Sequence, residues 1–226
     1  MAAKFSGGGI EPKRRGNRAR RQPFQERAQR TFGTVLDAAV RLIEREGVER
    51  ATTRRIALHA GVSVGAVYEY FPNKESIVLH LGTSWLRRIR DIVEALHPAR
   101  SGIADLLGYL NRMLCDVARL YRDQPGLLAV VRLIGAIPDL REAEQAHDAT
   151  VIESIASALL YYAPEADPEE LQATASCIII VSHGVLSECL ILQNADEVRL
   201  MRMMRASIIA LVSPILLPML AGPSPS

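Results

Sequence analysis

The sequence has few of the residues and spacings that common enzyme and metal chemistry requires. Its three cysteines, Cys115, Cys177 and Cys189, show no Cys-x-x-Cys spacing, and its five histidines form no close pair. Zinc sites need such clusters of ligands, and an odd set of cysteines is typical of a reducing cytoplasm. We therefore expect no metal, no other cofactor and a cytoplasmic location.

Sheet signals and uninterrupted apolar segments are also scarce. Apolar and polar residues do not alternate between Asn-Gly or Asp-Gly turns, whereas a 3.6-residue apolar period recurs along the chain. The N-terminus lacks the apolar core of a signal peptide, and the longest apolar stretches are interrupted by polar residues or proline. The sequence predicts an all-α protein without a membrane span.

The net charge of +2 conceals an uneven distribution. Up to His80 the chain has fifteen Lys and Arg against eight Asp and Glu, a balance of +7; the remainder has twelve against seventeen, a balance of −5. The basic N-terminal part is therefore the one expected to meet a polyanion such as DNA. With 49% apolar residues, the chain can also bury a substantial core.

One stretch in this basic part has the signals of a helix-turn-helix. Thr52 or Thr53 can cap a short helix, which Gly61 ends by supplying a left-handed conformation. Ser63 can cap a second helix, which Pro72 stops. Two helices joined by such a turn form the unit whose second helix lies in a DNA major groove.

The same stretch resembles the TetR family of bacterial transcriptional repressors. The resemblance covers roughly residues 27–81, and the family signature Ile-Ala-x-x-Ala-Gly-Val-Ser-x-Gly-x-hydrophobic-Tyr-x-Tyr-Phe-x-x-Lys is matched by Ile56, Ala57, Ala60, Gly61, Val62, Ser63, Gly65, Val67, Tyr68, Tyr70, Phe71 and Lys74. It implies a homodimeric repressor on the bacterial nucleoid, bound to a palindromic double-stranded DNA operator and released by a small-molecule effector. It divides the chain into a disordered basic arm (1–23), a three-helix DNA-binding domain (24–81), a helical ligand-binding and dimerisation domain (82–220) and a flexible tail (221–226).

Carried over by motif position, the resemblance assigns the DNA contacts. Candidate base or phosphate contacts are Arg54, Ser63, Val64, Gly65 and Ala66, and candidate phosphate contacts are Tyr68, Tyr70 and Lys74. Neither Val64 nor Ala66 has a hydrogen-bonding side chain, so we expect van der Waals contact with thymine methyl groups and indirect readout.

The arm before the first helix is basic and almost free of apolar residues. It includes Arg14, Arg15 and Arg18 beside further Lys and Arg residues. A segment of this composition is disordered in isolation. Because it directly precedes a DNA-binding unit, we expect it to contact phosphates or the minor groove; the alternative is a solubilising tail.

Apolar periodicity and breaks predict the helix bounds. The expected helices span about 24–46, 52–60, 63–71, 74–96, 101–123, 127–136, 139–162, 167–193 and 196–214. The last two are apolar and contain small residues, and they match the helices through which the resembling family dimerises. On this placement, a charge at Met204 or Ile208 is expected to be buried without a partner and to give either a monomer or loss of fold.

The regulatory half offers only weak candidates for a ligand site. They are Trp85, Tyr109, Met113, Arg132 and His183. Each is equally compatible with ordinary packing, and Trp85 could instead report ligand binding from the domain junction. A DNA-binding regulator without a ligand, and an α-helical enzyme, remain the alternatives to an effector-released repressor.

Overall fold

A computed structural model describes residues 21–123, 126–133, 136–191 and 196–221, and within these ranges it is helical with no strand. The all-α prediction is confirmed. A 3-10 turn at Val48–Arg50 follows the first helix, and a π-helical segment at Ser187–Ile191 extends the ninth. The α-helices are α1 Arg21–Glu46, α2 Thr53–Ala60, α3 Val64–Tyr68, α4 Lys74–Leu96, α5 Pro98–Ser101, α6 Leu106–Asp123, α7 Leu127–Leu133, α8 Pro138–Tyr162, α9 Pro168–Leu186 and α10 Glu197–Ala221.

The N-terminal unit is built on the apolar stripe of α1. Val35 and Leu42 of this helix are fully buried together with Ile56 of α2 and Val67 of α3. Phe32 stacks on Phe71, with the ring centroids 5.2 Å apart. These contacts give the two short helices one common support, as the sequence predicts.

Helix α4 connects this unit to the rest of the chain. Asn73 and Ser76 form a reciprocal capping box at its start, in which the Asn73 side chain accepts from the Ser76 amide at 2.8 Å. The helix then packs on α6, α7 and α8. A second connection lies nearby, where the Gly126 amide donates to Glu44 Oε1 of α1 at 2.7 Å. The N-terminal unit and the rest of the chain are therefore joined by a helix and by a direct hydrogen bond.

Three predicted helix bounds are wrong. Ser101 ends the short α5, because Gly102 turns the chain with φ +69, and α6 begins only at Leu106, after Asp105 accepts from the Gly108 amide. Helix α3 ends at Tyr68 instead of near Phe71, although Phe71 is still buried. Helix α10 continues beyond Pro214, since buried residues on either side of this exposed proline hold the helix against its neighbours.

The two terminal segments also differ from their predicted limits. Helix α1 begins at Arg21, so the last three residues of the predicted arm 1–23 are helical, and α10 includes Ala221 of the predicted tail. The remaining positions, including Arg14, Arg15 and Arg18, lie outside the described residues. A disordered arm thus stays a prediction.

Within the described part of the chain, one helical segment, Pro168–Ile191, is long and apolar enough to cross a membrane by length and composition. Only 33% of its most apolar window is buried within the subunit. A core helix of a soluble protein passes the same test. An apolar face of this kind is also what a subunit interface requires. The expectation of no membrane span stays a prediction.

Gly82 allows α4 to approach α8 closely. A Cβ atom at this position would lie 2.4 Å from Leu140 Cδ1 and 3.2 Å from Val130 Cγ1. Leu140 is itself fully buried and has little room to move away. Gly33 in α1 offers the opposite case, since its Cβ would meet nothing within 4 Å.

We expect Gly82→Ala to lower the free energy of unfolding and Gly33→Ala to preserve or raise it. Overpacking of a core costs about 1–3 kcal/mol, which exceeds the gain of about 1 kcal/mol from replacing a helical glycine by alanine. At position 33 only the gain applies. Urea unfolding of both variants measures the difference, and equal stabilities would show that α4 and α8 are not in close contact at Gly82.

Candidate DNA-reading surface and ligand cavity

The turn between α2 and α3 is held by side-chain caps at both helices. Thr52 Oγ1 accepts from the Arg55 amide at 3.4 Å, and Gly61 ends α2 with φ +66. Ser63 Oγ accepts from the Ala66 amide at 3.1 Å and so begins α3. The helix-turn-helix is therefore confirmed as a local structure.

Helix α3 presents one face to solvent and one to the core. Val67 is fully buried and anchors the helix, whereas Val64 and Tyr68 are exposed on its outer face. Ser63, Gly65 and Arg54 are exposed, and Ala66 is half-buried. A helix of five residues that shows small side chains on its outer face can approach base edges closely.

The side chains predicted to contact phosphates differ in the hydrogen bonds and ion pairs that they already make within the protein. Tyr68 accepts a 3.1 Å hydrogen bond from the Thr53 hydroxyl and keeps its own proton for a further acceptor. Lys74 Nζ lies 2.9 Å from Glu49 Oε2, so this ion pair competes with a phosphate. Tyr70 donates to the Ala28 carbonyl at 3.2 Å and packs edge-on against Phe32, a bracing role in α1 that the sequence does not indicate.

The family signature does not indicate the ion-pair cluster that lies next to the turn. Arg55 holds Glu46 through two nitrogens at 2.7 and 2.8 Å, and Arg45 approaches the same carboxylate at 3.1 Å. Hydrogen bonding from Arg55 first, and from Arg45 second, lowers the pKa of Glu46 to about 2. The cluster braces α2 against the end of α1, and the neighbouring Arg54 is exposed.

The residues Gly61 to Gly65 also satisfy the pattern Gly-x-Ser-x-Gly of a nucleophile elbow. That motif requires a strand before the serine and a base beside it. Here α2 precedes the turn, and the hydroxyl of Ser63 is engaged in capping α3. The match therefore carries no hydrolytic chemistry.

A cavity lies between α4, α6, α8 and α9 in the regulatory unit. Its volume is about 60 Å³, below the 300–1,000 Å³ that is common for ligand pockets. Of the predicted ligand residues, Trp85, Met113 and His183 line it. Tyr109 is buried away from it, near Tyr162, and the side chain of Arg132 lies outside the described residues.

Sequence reasoning missed most of the polar groups in this cavity. Tyr121 and His183 share a 2.8 Å hydrogen bond, and Trp85 lies edge-on to Tyr121 with ring centroids 5.2 Å apart. Helix α8 contributes Glu144, His147 and Asp148. The signal was present, because these positions continue the apolar stripe of Val151 and Ile155 at helical spacing.

Burial changes the protonation of these groups. It lowers the pKa of His147 to about 4, with Arg90 and His183 adding to the effect. Burial likewise lowers the pKa of His183 and raises the pKa of Asp148. The pKa of Glu144 is raised by burial first and by the neighbouring Asp148 second. At neutral pH the two histidines in the wall are therefore uncharged.

The described residues contain no group of three or more His, Cys, Asp or Glu that could hold a metal ion.

The two terminal helices, α9 and α10, have an apolar outer surface. Ile180 of α9 is 69% exposed, and Met203 of α10 is 57% exposed. Met204 and Ile208, which the sequence places at the dimer contact, are 1% exposed within the single subunit, in which α10 packs on α9.

The comparisons with known proteins agree with this geometry. Residues 35–81 match the family model described as bacterial regulatory proteins, tetR family. Residues 105–210 match the tetracyclin repressor-like C-terminal domain. A putative TetR-family transcriptional regulator from Mesorhizobium loti has a similar fold, with a TM-score of 0.65 at 21% identity over 83% of this chain and 98% of that one.

Two curated relatives match part of the chain. The nucleoid occlusion factor SlmA of Mannheimia succiniciproducens is 31% identical over 126 residues, which are 54% of this chain and 53% of the relative. The nicotine-responsive repressor HdnoR of Paenarthrobacter nicotinovorans is 31% identical over 97 residues, 42% of this chain and 48% of the relative. The chain thus spans about half the length of the curated relatives it matches.

The two family models together cover more than half of the chain, one over the helix-turn-helix and one over α6, α8 and α9, which form three of the four cavity walls. The first model ends at residue 81, within α4, and the second begins at residue 105, so the helix that joins the two units lies at the junction of the two models. Family members are regulatory proteins, and this agrees with the lack of a catalytic set in the sequence. The protein belongs to the TetR family of bacterial regulatory proteins.

Proposed function

We propose that the protein is a cytoplasmic, homodimeric transcriptional repressor that binds a palindromic operator and leaves it when a small molecule enters the regulatory cavity. The exposed face of α3 carries this proposal. Val67 anchors the helix while Ser63, Val64 and Gly65 face outward, as a major-groove reader needs. Two copies related by dimer symmetry would read two half-sites.

The route from cavity to DNA runs through α4. Trp85 of this helix lines the cavity, and the start of the helix packs against the DNA-binding unit. An effector that repositions α4 would change the separation of the two readers. To shift a two-state equilibrium from almost fully DNA-bound to almost fully released, the effector must bind the released state more tightly by about 5.5 kcal/mol. The HdnoR relative is itself described as nicotine-responsive.

The main alternative is a DNA-binding regulator without an effector. The small cavity volume of about 60 Å³ favours this alternative, because a ligand of ordinary size requires the walls to move. A thermal-shift screen separates the two possibilities. A ligand at a hundred times its dissociation constant stabilises a protein by about 2.7 kcal/mol. An α-helical enzyme, the remaining alternative, would convert the bound ligand into a product.

Selection of bound sequences from random DNA tests the reader. Tyr68→Phe and Lys74→Ala are expected to weaken binding to all sequences alike, since both contact phosphates on this placement. Substitutions at Val64 or Ala66 are expected to change the preferred sequence, because these side chains lie where base edges are read. An unchanged preference in both would refute the placement of α3 in the groove.

Glu49→Gln is the matched control for the phosphate contact. It removes the ion-pair partner of Lys74, which is 2.9 Å away, and leaves the lysine in place. We expect it to strengthen binding to all sequences alike, the opposite of Lys74→Ala. If both substitutions weaken binding, the Lys74–Glu49 pair supports the fold of the reader instead of competing with DNA.

A further inference from the structure

Two carboxylates face the cavity from one side of α8. Glu144 and Asp148 are four residues apart, so they are neighbours on one face of the helix. Like charges at this spacing repel each other, and burial makes both costly to ionise. The rest of the wall is mainly aliphatic and aromatic. A pair of acids in such surroundings destabilises the empty protein.

Neither carboxylate has an ion pair within 4 Å among the described residues. The other titratable groups of the wall are His147, His183 and Tyr121. Burial holds both histidines neutral at pH 7 and keeps the Tyr121 hydroxyl protonated. Arg90 is the charged residue that acts on His147. The wall therefore contains two carboxyl groups to which no described residue supplies an ion-pair partner, and a bound cation would favour their ionised forms.

Unpartnered polar atoms in the same wall point independently to a ligand. Trp85 is 1% exposed and His147 is 7% exposed, and both line the cavity. Within the described part of the chain, Trp85 Nε1, His147 Nδ1 and Ser182 Oγ are buried without a hydrogen-bond partner. Buried polar atoms in native proteins nearly always find a partner.

We propose that the cavity binds an organic cation, an amine with a compact apolar body and a hydrogen-bonding group, and that Glu144 and Asp148 neutralise its charge. This inference rests on the proposed function and names the class of its effector. The indole of Trp85 and the ring of Tyr121 supply aromatic surface for the cation. The Nε1–H of Trp85 supplies a donor for an oxygen of the ligand.

Other ligand classes fit the wall less well. An anion would meet two carboxylates, and a neutral apolar molecule would remove water from them without replacing its hydrogen bonds. A metal ion would require a third ligand that the described residues do not bring to the pair. The present volume of about 60 Å³ restricts the first probes to small molecules.

Choline and its neutral carbon isostere dimethylbutanol test the charge directly. They have the same shape, and the quaternary nitrogen of choline is replaced by carbon in the alcohol. The fluorescence of Trp85, the sole tryptophan, reports binding from within the wall. We expect choline to bind at least about tenfold more tightly, because only choline gains Coulomb attraction to the carboxylates and a cation–π contact with the aromatic rings. Equal affinity for the two compounds, or binding of neither, would overturn the inference.

Substitutions assign the effect to the two acids. Glu144→Gln and Asp148→Asn preserve shape and remove charge, and each is expected to weaken choline binding at least about tenfold through the lost Coulomb attraction. Both should leave the melting temperature of the empty protein unchanged or higher, since they relieve repulsion. Glu142→Gln on the exposed side of the same helix is the control and should bind choline as the unsubstituted protein does. Unaltered binding in both cavity variants would overturn the inference.

Operator binding by the same samples separates this inference from the proposed function. Suppose that the unsubstituted protein binds its operator and that another compound releases it. If the protein then binds choline no more tightly than the alcohol, only the cation assignment fails. If no operator is bound, the proposed function fails. Cation binding that depends on Glu144 and Asp148 would still support the ligand class.

Discussion

Ile180→Glu or Met203→Glu is expected to convert the dimer into folded monomers. Both side chains are largely exposed in the single subunit, at 69% and 57%, so a charge costs little there. In a dimer formed through α9 and α10 the same charge would be buried without a partner, at a cost of about 3–5 kcal/mol per site. Sedimentation at low micromolar concentration and operator titration measure the outcome, and operator affinity should fall because one subunit reads only one half-site.

Met204→Glu and Ile208→Glu are the informative contrast. These residues are 1% exposed within the subunit, so a charge there should unfold the subunit before any effect on association is seen. Leu107→Glu, at an exposed position of α6, is the control and should remain dimeric. A stable dimer of both the Ile180 and Met203 variants would place the interface on another surface.

Removal of residues 1–20 is expected to make operator binding much less dependent on salt. Two arms per dimer, each neutralising about three phosphates, would reduce the slope of log affinity against log salt by roughly 5, from about 0.9 per contact. The deletion ends at residue 20 because α1 begins at Arg21. Salt titrations of the full-length and truncated proteins on one operator measure the slopes.

The control for the truncation is the simultaneous replacement of Arg14, Arg15 and Arg18 by alanine. This variant keeps the length of the arm and removes part of its charge. It should recover an intermediate slope. Specificity should change less than affinity, unless the arginines enter a narrow minor groove and favour A·T-rich flanks. Superimposable slopes for all three proteins would make the arm a solubilising tail.

The DNA-reading unit was the part most open to sequence reasoning. Its caps Thr52 and Ser63, its glycine turn at Gly61 and its buried Val67 all act within a few residues of one another. Interactions of this range depend on residue type and spacing, which a sequence displays directly. Even so, Tyr70 looked like a phosphate contact, and only the distant Ala28 carbonyl shows that its hydroxyl braces α1.

The regulatory half required the tertiary structure. A helical period shows that one face of α8 is buried but not which helix covers it, so Glu144, His147 and Asp148 could not be placed beside Trp85 and His183. Likewise, the sequence could not show that Met204 and Ile208 are buried within the subunit, since an apolar helix can be covered by its own subunit or by a second one. By itself the sequence determined the helical class, the reader and the location of its basic charge, because these follow from short-range spacing and composition. Packing between helices far apart in the chain decided which polar groups share the cavity and which apolar side chains of α9 and α10 remain exposed for a partner.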